Sequence, residues 1–194
     1  GGVRFGGYRG ETVRDTLIDL ATRVRSGGAL LQINHPNYES ALTLDDLLAV
    51  DGFYLMEVAN QHFHVHNEGQ AWWPGDVRQT TEELWDGLLT HGRRIFATAT
   101  DDTHDIERDP GFTRRRPFQG WVSVAAESLT EAAICDALRA GKFYASTGVE
   151  LNEVEYTSRG ITIDIAYSEA GPDETFTTIF LGTNGAVLSI QVGN

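Results

Sequence analysis

This chain is short of several residue types, and each shortage excludes something. Its 194 residues include one cysteine, one methionine and five prolines. A lone thiol, Cys135, cannot form an internal disulfide framework or a Cys-based zinc site. It falls in a helical pattern, where a small buried hydrophobe is the expected role. Basic residues are scarce too: 15 Lys and Arg stand against 28 Asp and Glu, a formal net charge of −13. That balance argues against nucleic acid as a partner, because phosphates require a basic face. An anionic membrane surface is disfavoured on the same ground. No apolar run approaches the roughly 20 residues needed to span a bilayer. The opening GGVRFGGYRG lacks the basic and apolar regions of a signal peptide, which favours the cytoplasm. It lacks an initiator Met as well, and reads as the start of a piece of a longer chain. Its glycines match neither the Walker nor the Rossmann pattern.

What is present is an alternation of helix and strand signals. ETVRDTLIDLATRVRSGG carries a helical apolar stripe at Val13, Leu17, Leu20, Ala21 and Val24, stopped by Gly27 and Gly28. ALLQINHP reads as a short strand ended by Pro36. TLDDLLAVDG is a short helix with Thr43 as N-cap, followed by the strand FYLMEVAN. TTEELWDGLLTHG is a helix with Thr80 and Glu83 as a capping box and Gly92 beyond its end. RIFATAT is a strand, and SLTEAAICDALRAG a helix with Ser128 and Glu131 as box and Gly141 as stop. This alternation predicts an α/β domain over residues 1–148 with a parallel sheet or barrel. From 149 to 194 the pattern changes to period two with turn signals, predicting three or four antiparallel strands. That segment reads as an appendage or the start of a β-sandwich.

In parallel α/β folds, function gathers where strands end at their carboxyl edges. Three such ends carry polar residues: His35 in INHP, Glu57 and Asn60 in MEVAN, and Asp102 and His104 in TDDTH. In an extended segment residues i and i+2 share a side, so Asp102 and His104 can converge on one ion. A carboxylate beside an imidazole suits Zn, Mn or Fe. Taken alone, each motif reads more readily as a hydrogen-bonded or solvated turn than as a ligand set; the three ends together favour a metal. The run His62, His64, His66 belongs to the loop before a Trp-rich stretch, where it shapes the pocket entrance rather than binding metal. His91, at a helix C-terminus, is structural. Arg114, Arg115 and Arg116 form the only basic cluster. They read either as a solvated loop or as a means of capturing an anionic substrate group.

GGALLQINHP, LMEVAN, HNEG, TEELWDGLLTHGRRIFATATDDTHD and GWVSVAAESLTEAAICDALRAGKFYASTG occur in this order. Together they resemble the C-terminal part of a PHP (polymerase and histidinol phosphatase) domain, over about residues 11 to 150. The resemblance is to the CehA-like branch of metal-dependent phosphoesterases. It implies the C-terminal part of a distorted (β/α)7 barrel with two or three divalent ions at its mouth. It also implies that His35, Asp102 and His104 are metal ligands, with Glu57, an acidic strand end near the site, as a fourth. The family's opening His-x-His, Thr-Asp-His and bridging Glu do not occur before His35, so N-terminal βα units are expected to be missing.

The implied activity is hydrolysis of a small-molecule phosphoester by metal-activated water, or of a carbamate or carboxylic ester within the same branch. His104 and Asp102 are the expected catalytic groups, and Asn60 with the three arginines the expected substrate contacts. The rival is a non-catalytic binding module derived from a truncated domain. Uncovered barrel edges would favour self-association.

Overall fold

The computed structural model describes residues 11–62, 64–69, 78–104, 117–166 and 175–193. Arg114, Arg115 and Arg116 lie outside them. The chain is mixed α/β. Helix α1 (Val13–Ser26) leads to strand β1 (Gln32–Ile33), a 3-10 turn (Tyr38–Ser40) and helix α2 (Leu44–Leu48). Strand β2 (Leu55–Asn60), helix α3 (Thr81–Thr90) and strand β3 (Phe96–Thr100) follow. The three strands form one parallel sheet in the order β1-β2-β3.

Local signals explain most helix boundaries. The Thr43 hydroxyl accepts from the Asp46 N–H while the Asp46 carboxylate accepts from the Thr43 N–H, so α2 opens on a full capping box. Thr80 and Glu83 do the same for α3. His91 caps the end of α3, its Nδ1 lying 2.8 Å from the Gly87 carbonyl oxygen. Ala21, Ile33, Leu47, Val50, Phe53, Met56, Leu84 and Leu88 are among the residues that pack as one buried cluster beneath the parallel sheet. Arg93 ties α2 to this layer by donating to the carbonyls of Leu48 and Val50.

Beyond β3 the pattern departs from expectation. Strand β4 (Trp121–Val124), helix α4 (Glu131–Ala140) and strand β5 (Phe143–Ser146) alternate as expected, but β4 and β5 pair antiparallel. The ten-residue helix climbs about 15 Å. The six-residue loop 125–130 can span that distance outward, so chain and helix together return to the strand end they left. The Ala125 N–H then bonds the Lys142 carbonyl and extends the ladder. The N-cap of α4 is Thr130, which accepts from the Ala133 N–H, and not Ser128. Cys135 is half-buried rather than buried.

Among the described residues the strands form sheets of three, two, two and two, and none closes into a barrel. The C-terminal segment forms two antiparallel hairpins, β6 (Leu151–Thr157) with β7 (Gly160–Ile165) and β8 (Phe176–Leu181) with β9 (Val187–Gly193). They are anchored to the α/β layer. The Leu151 N–H donates to the Tyr144 hydroxyl, and the turn between β8 and β9 donates from Asn184 and Gly185 to Thr90 and Asp86 of α3. No helix among the described residues is long and apolar enough to cross a membrane.

Candidate functional site

All three parallel strands run the same way, so their carboxyl ends gather at one edge of the sheet. β1 delivers His35, β2 ends at Asn60, and β3 leads into Asp101, Asp102, Thr103 and His104. The Gln61 N–H bonds the Thr100 carbonyl at 2.9 Å and holds the last two ends together.

Glu57 is not at a strand end. It is the third residue of β2 and is 3% exposed. Its register partner is Thr98, but the next pair is Ala59 with Ala99, so Val58 is an extra residue, a bulge. Alternation in a regular strand would place Glu57 and Asn60 on opposite faces. The bulge re-aims Asn60, whose amide donates to Glu57 Oε2 at 3.0 Å and to Asp102 Oδ2 at 3.2 Å. Glu57 Oε2 also accepts the His35 N–H at 2.7 Å, and Oε1 accepts the Thr100 hydroxyl at 2.8 Å. One buried carboxylate thus ties all three strands together at their functional edge. With three donors in place, Glu57 acts as a hub that positions the others, not as an open ligand.

Asp102 and His104 do converge, though not for the reason the spacing suggests. Asp102 has φ 51°, so the segment is a turn rather than an extended strand. His104 folds back, its Nδ1 2.7 Å from the Asp102 carbonyl oxygen. A carbonyl can only accept, so Nδ1 carries a proton and Nε2 is the ring nitrogen left open to a partner. Nε2 stands 3.7 Å from Asp102 Oδ1. Two donors bound tetrahedrally to one ion at about 2.1 Å lie about 3.4 Å apart, so this gap suits a shared ion. The Thr103 hydroxyl between them in sequence is buried without a hydrogen-bond partner among the described residues.

The four expected ligands are not brought together as one set. His35 offers its backbone to Glu57, while its ring lies tilted against Tyr38 at 5.4 Å between centroids. Among the described residues no group of three or more His, Cys, Asp or Glu side chains is placed to hold a metal ion. The residues present therefore fit the beginning of a metal site, a two-donor pair on a braced support.

The histidine run was expected at the pocket entrance, while Asn67, Asn37 and the role of Asp101 went unnoticed in the sequence. The His62 ring lies 5.7 Å from that of His104 and 5.6 Å from that of His64, so one histidine of the discounted run reaches the site. The Asn67 side chain bonds both backbone groups of Asn60, accepting its N–H and donating to its carbonyl. The buried Asn37 amide bonds the carbonyls of His66 and Gln79, closing the base of the loop after β2. Asp101 accepts three backbone N–H groups, from Phe118, Gln119 and Gly120, at 2.6, 2.6 and 2.7 Å. Gly120 packs directly on β3, where a Cβ would lie 2.7 Å from the Thr100 carbonyl oxygen. An Asx-type signal is visible at Asn37 and Asn67, but not which distant carbonyls they would meet.

No family model, no curated protein and no solved structure matches the chain.

Proposed function

We propose that this chain carries part of the site of a metal-dependent hydrolase acting on a small-molecule phosphoester. The observation that carries the reading is the pair Asp102 Oδ1 and His104 Nε2, 3.7 Å apart, with the imidazole tautomer set by the Asp102 carbonyl. The order of PHP-like motifs around that pair supports it. A divalent ion such as Zn, Mn or Fe would be held by Asp102 and His104. When bound, it would supply a water activated near neutral pH and charge to stabilise the transferring group.

The chain's own residues do the positioning. The Asn60 amide restrains one oxygen of Asp102 and leaves the other toward His104. Glu57 fixes Asn60. His62, beside the His104 ring, would exchange a proton with a leaving group. Arg114, Arg115 and Arg116, outside the described residues, are the sequence's candidates for the positive charge that a phosphoryl group requires. A carbamate or carboxylic ester would need no such cluster, which favours the phosphoester.

Calorimetric titration with Mn and Zn, alongside turnover of p-nitrophenyl phosphate mono- and diesters, tests the proposal. One ion should bind weakly, since two donors fall short of the three that a catalytic zinc site requires. Asp102→Ala and His104→Ala should each reduce its affinity at least tenfold. Equal metal affinity in wild type and both variants would refute the reading.

A further inference from the structure

The hairpin of β8 and β9 has a mixed inner face, where Gln191 lies opposite Thr178, and a largely apolar outer one. Phe176, Thr178, Phe180 and Ser189 form a half-buried inner face. There Phe176 and Thr178 share a cleft of about 380 Å³ with Ile163 and Ile165 of β7. An antiparallel sheet with one solvated side should present polar residues outward. Here the outward positions are Thr177, Ile179, Leu181, Val187, Ile190 and Val192, with Leu188 at the bulge, and Thr177 is the one polar residue among them. The six apolar side chains are between 52% and 71% exposed. Ile179 and Ile190 are directly paired at the centre of the face.

We propose that this outer face is a two-fold interface with a second copy of the chain. Charge points to the occupant. The full chain has a formal net charge of −13, yet FTTIFL and VLSIQVG contain no charged residue. Two acidic copies can meet here without opposing like charges, whereas their other surfaces repel. Area agrees. Burying an aliphatic side chain removes on the order of 60–120 Å² of apolar surface. Six side chains a little over half exposed contribute about 300 Å² per copy, so a symmetric pair hides about 600 Å² from them alone, the scale of a weak, reversible interface rather than an obligate one. An isolated two-stranded hairpin is marginal in water, and a second sheet about 10 Å away supplies the missing layer. Natural edges without charge or proline are normally covered, and both strands here lack those safeguards. The surface is distinct from the parallel sheet's edges, and none of its residues belongs to the candidate site.

Sedimentation of the full chain from about 1 to 200 μM tests this. A reversible monomer–dimer equilibrium is expected, with a dissociation constant in the micromolar range. Ile190→Lys and Ile190→Glu should each weaken dimerisation at least tenfold, and mixing the two should restore a heterodimer. A wild type monomeric at 200 μM overturns the proposal, whether or not the face then binds detergent or an unrelated protein. So do assemblies larger than a dimer, a dimer that survives both substitutions, or failure of the mixture to recover.

Discussion

Glu57 and Asn60 lie three residues apart on one strand, yet the Asn60 amide donates to the Glu57 carboxylate over 3.0 Å. Only the bulge at Val58 allows this, because an unbroken strand would send the two side chains to opposite faces. The arrangement makes Glu57 the support of the candidate site. Glu57→Ala would strand the His35 N–H, the Asn60 amide and the Thr100 hydroxyl beside a cavity. Each unsatisfied buried donor costs about 1–3 kcal/mol, so a loss of about 3 kcal/mol or more is expected by urea denaturation. Glu57→Gln, which keeps one acceptor oxygen, should lose less. A loss below about 0.5 kcal/mol for Glu57→Ala would show that the network is not buried as described.

Asp101 joins the end of β3 to the start of β4. Its Oδ1 accepts from Gln119 and Gly120 and its Oδ2 from Phe118. Asp101→Asn keeps at most one of these acceptor oxygens. It should therefore speed amide hydrogen exchange at 118–120 selectively, with α1 and α2 unaffected. Such charge-assisted bonds contribute about 1.5–3 kcal/mol each, so exchange should accelerate at least tenfold. Unchanged protection at these three amides would contradict the assignment.

Asp46 gives the fold an acid-sensitive element. Burial pushes its carboxyl up, but the hydroxyl and N–H of Thr43 and the Arg14 guanidinium pull harder the other way, leaving it below its ordinary 3.8. A carboxyl depressed in the folded state stabilises above its unfolded value and loses that contribution as pH falls through the folded one. Asp46→Asn should therefore be less stable than wild type above about pH 4, with the difference vanishing in stronger acid. Denaturation midpoints measured from pH 6 to pH 2.5 for both proteins check this. A gap that persists in strong acid would assign the difference to something other than the ionised carboxylate.

The sequence by itself determined the parts that depend on a few neighbouring residues. Thr43 and Thr80 cap helices because a hydroxyl three residues before a backbone N–H can reach it in any tertiary setting. Gly141 ends α4 at φ 71°, which costs a residue without a Cβ nothing. The carboxyl ends of β1, β2 and β3 could be identified as one polar edge because alternating helices and strands imply a parallel sheet.

Even at this scale close competitors confused the reading. Ser128 and Thr130 are both good caps two residues apart, and α4 opens on the second.

Tertiary structure decided what depends on distant partners. Nothing local in LMEVAN marks Val58 as a bulge, since β2 bulges only in register with β3. Asp102 looked extended by spacing, but adopts a left-handed turn that points His104 back at its own carbonyl. His62 reaches His104 only because the loop after β2 is tied down by Asn37 and Asn67, bonded to groups as far as 42 residues along the chain. The antiparallel pairing of β4 and β5 depends on how far the loop before α4 extends, which no periodicity encodes. Short-range hydrogen bonds and backbone preferences are written in composition. Register, bulges and the meeting of side chains are set by the one arrangement that buries the core of Leu47, Met56 and Leu88 while leaving few buried donors unpaired.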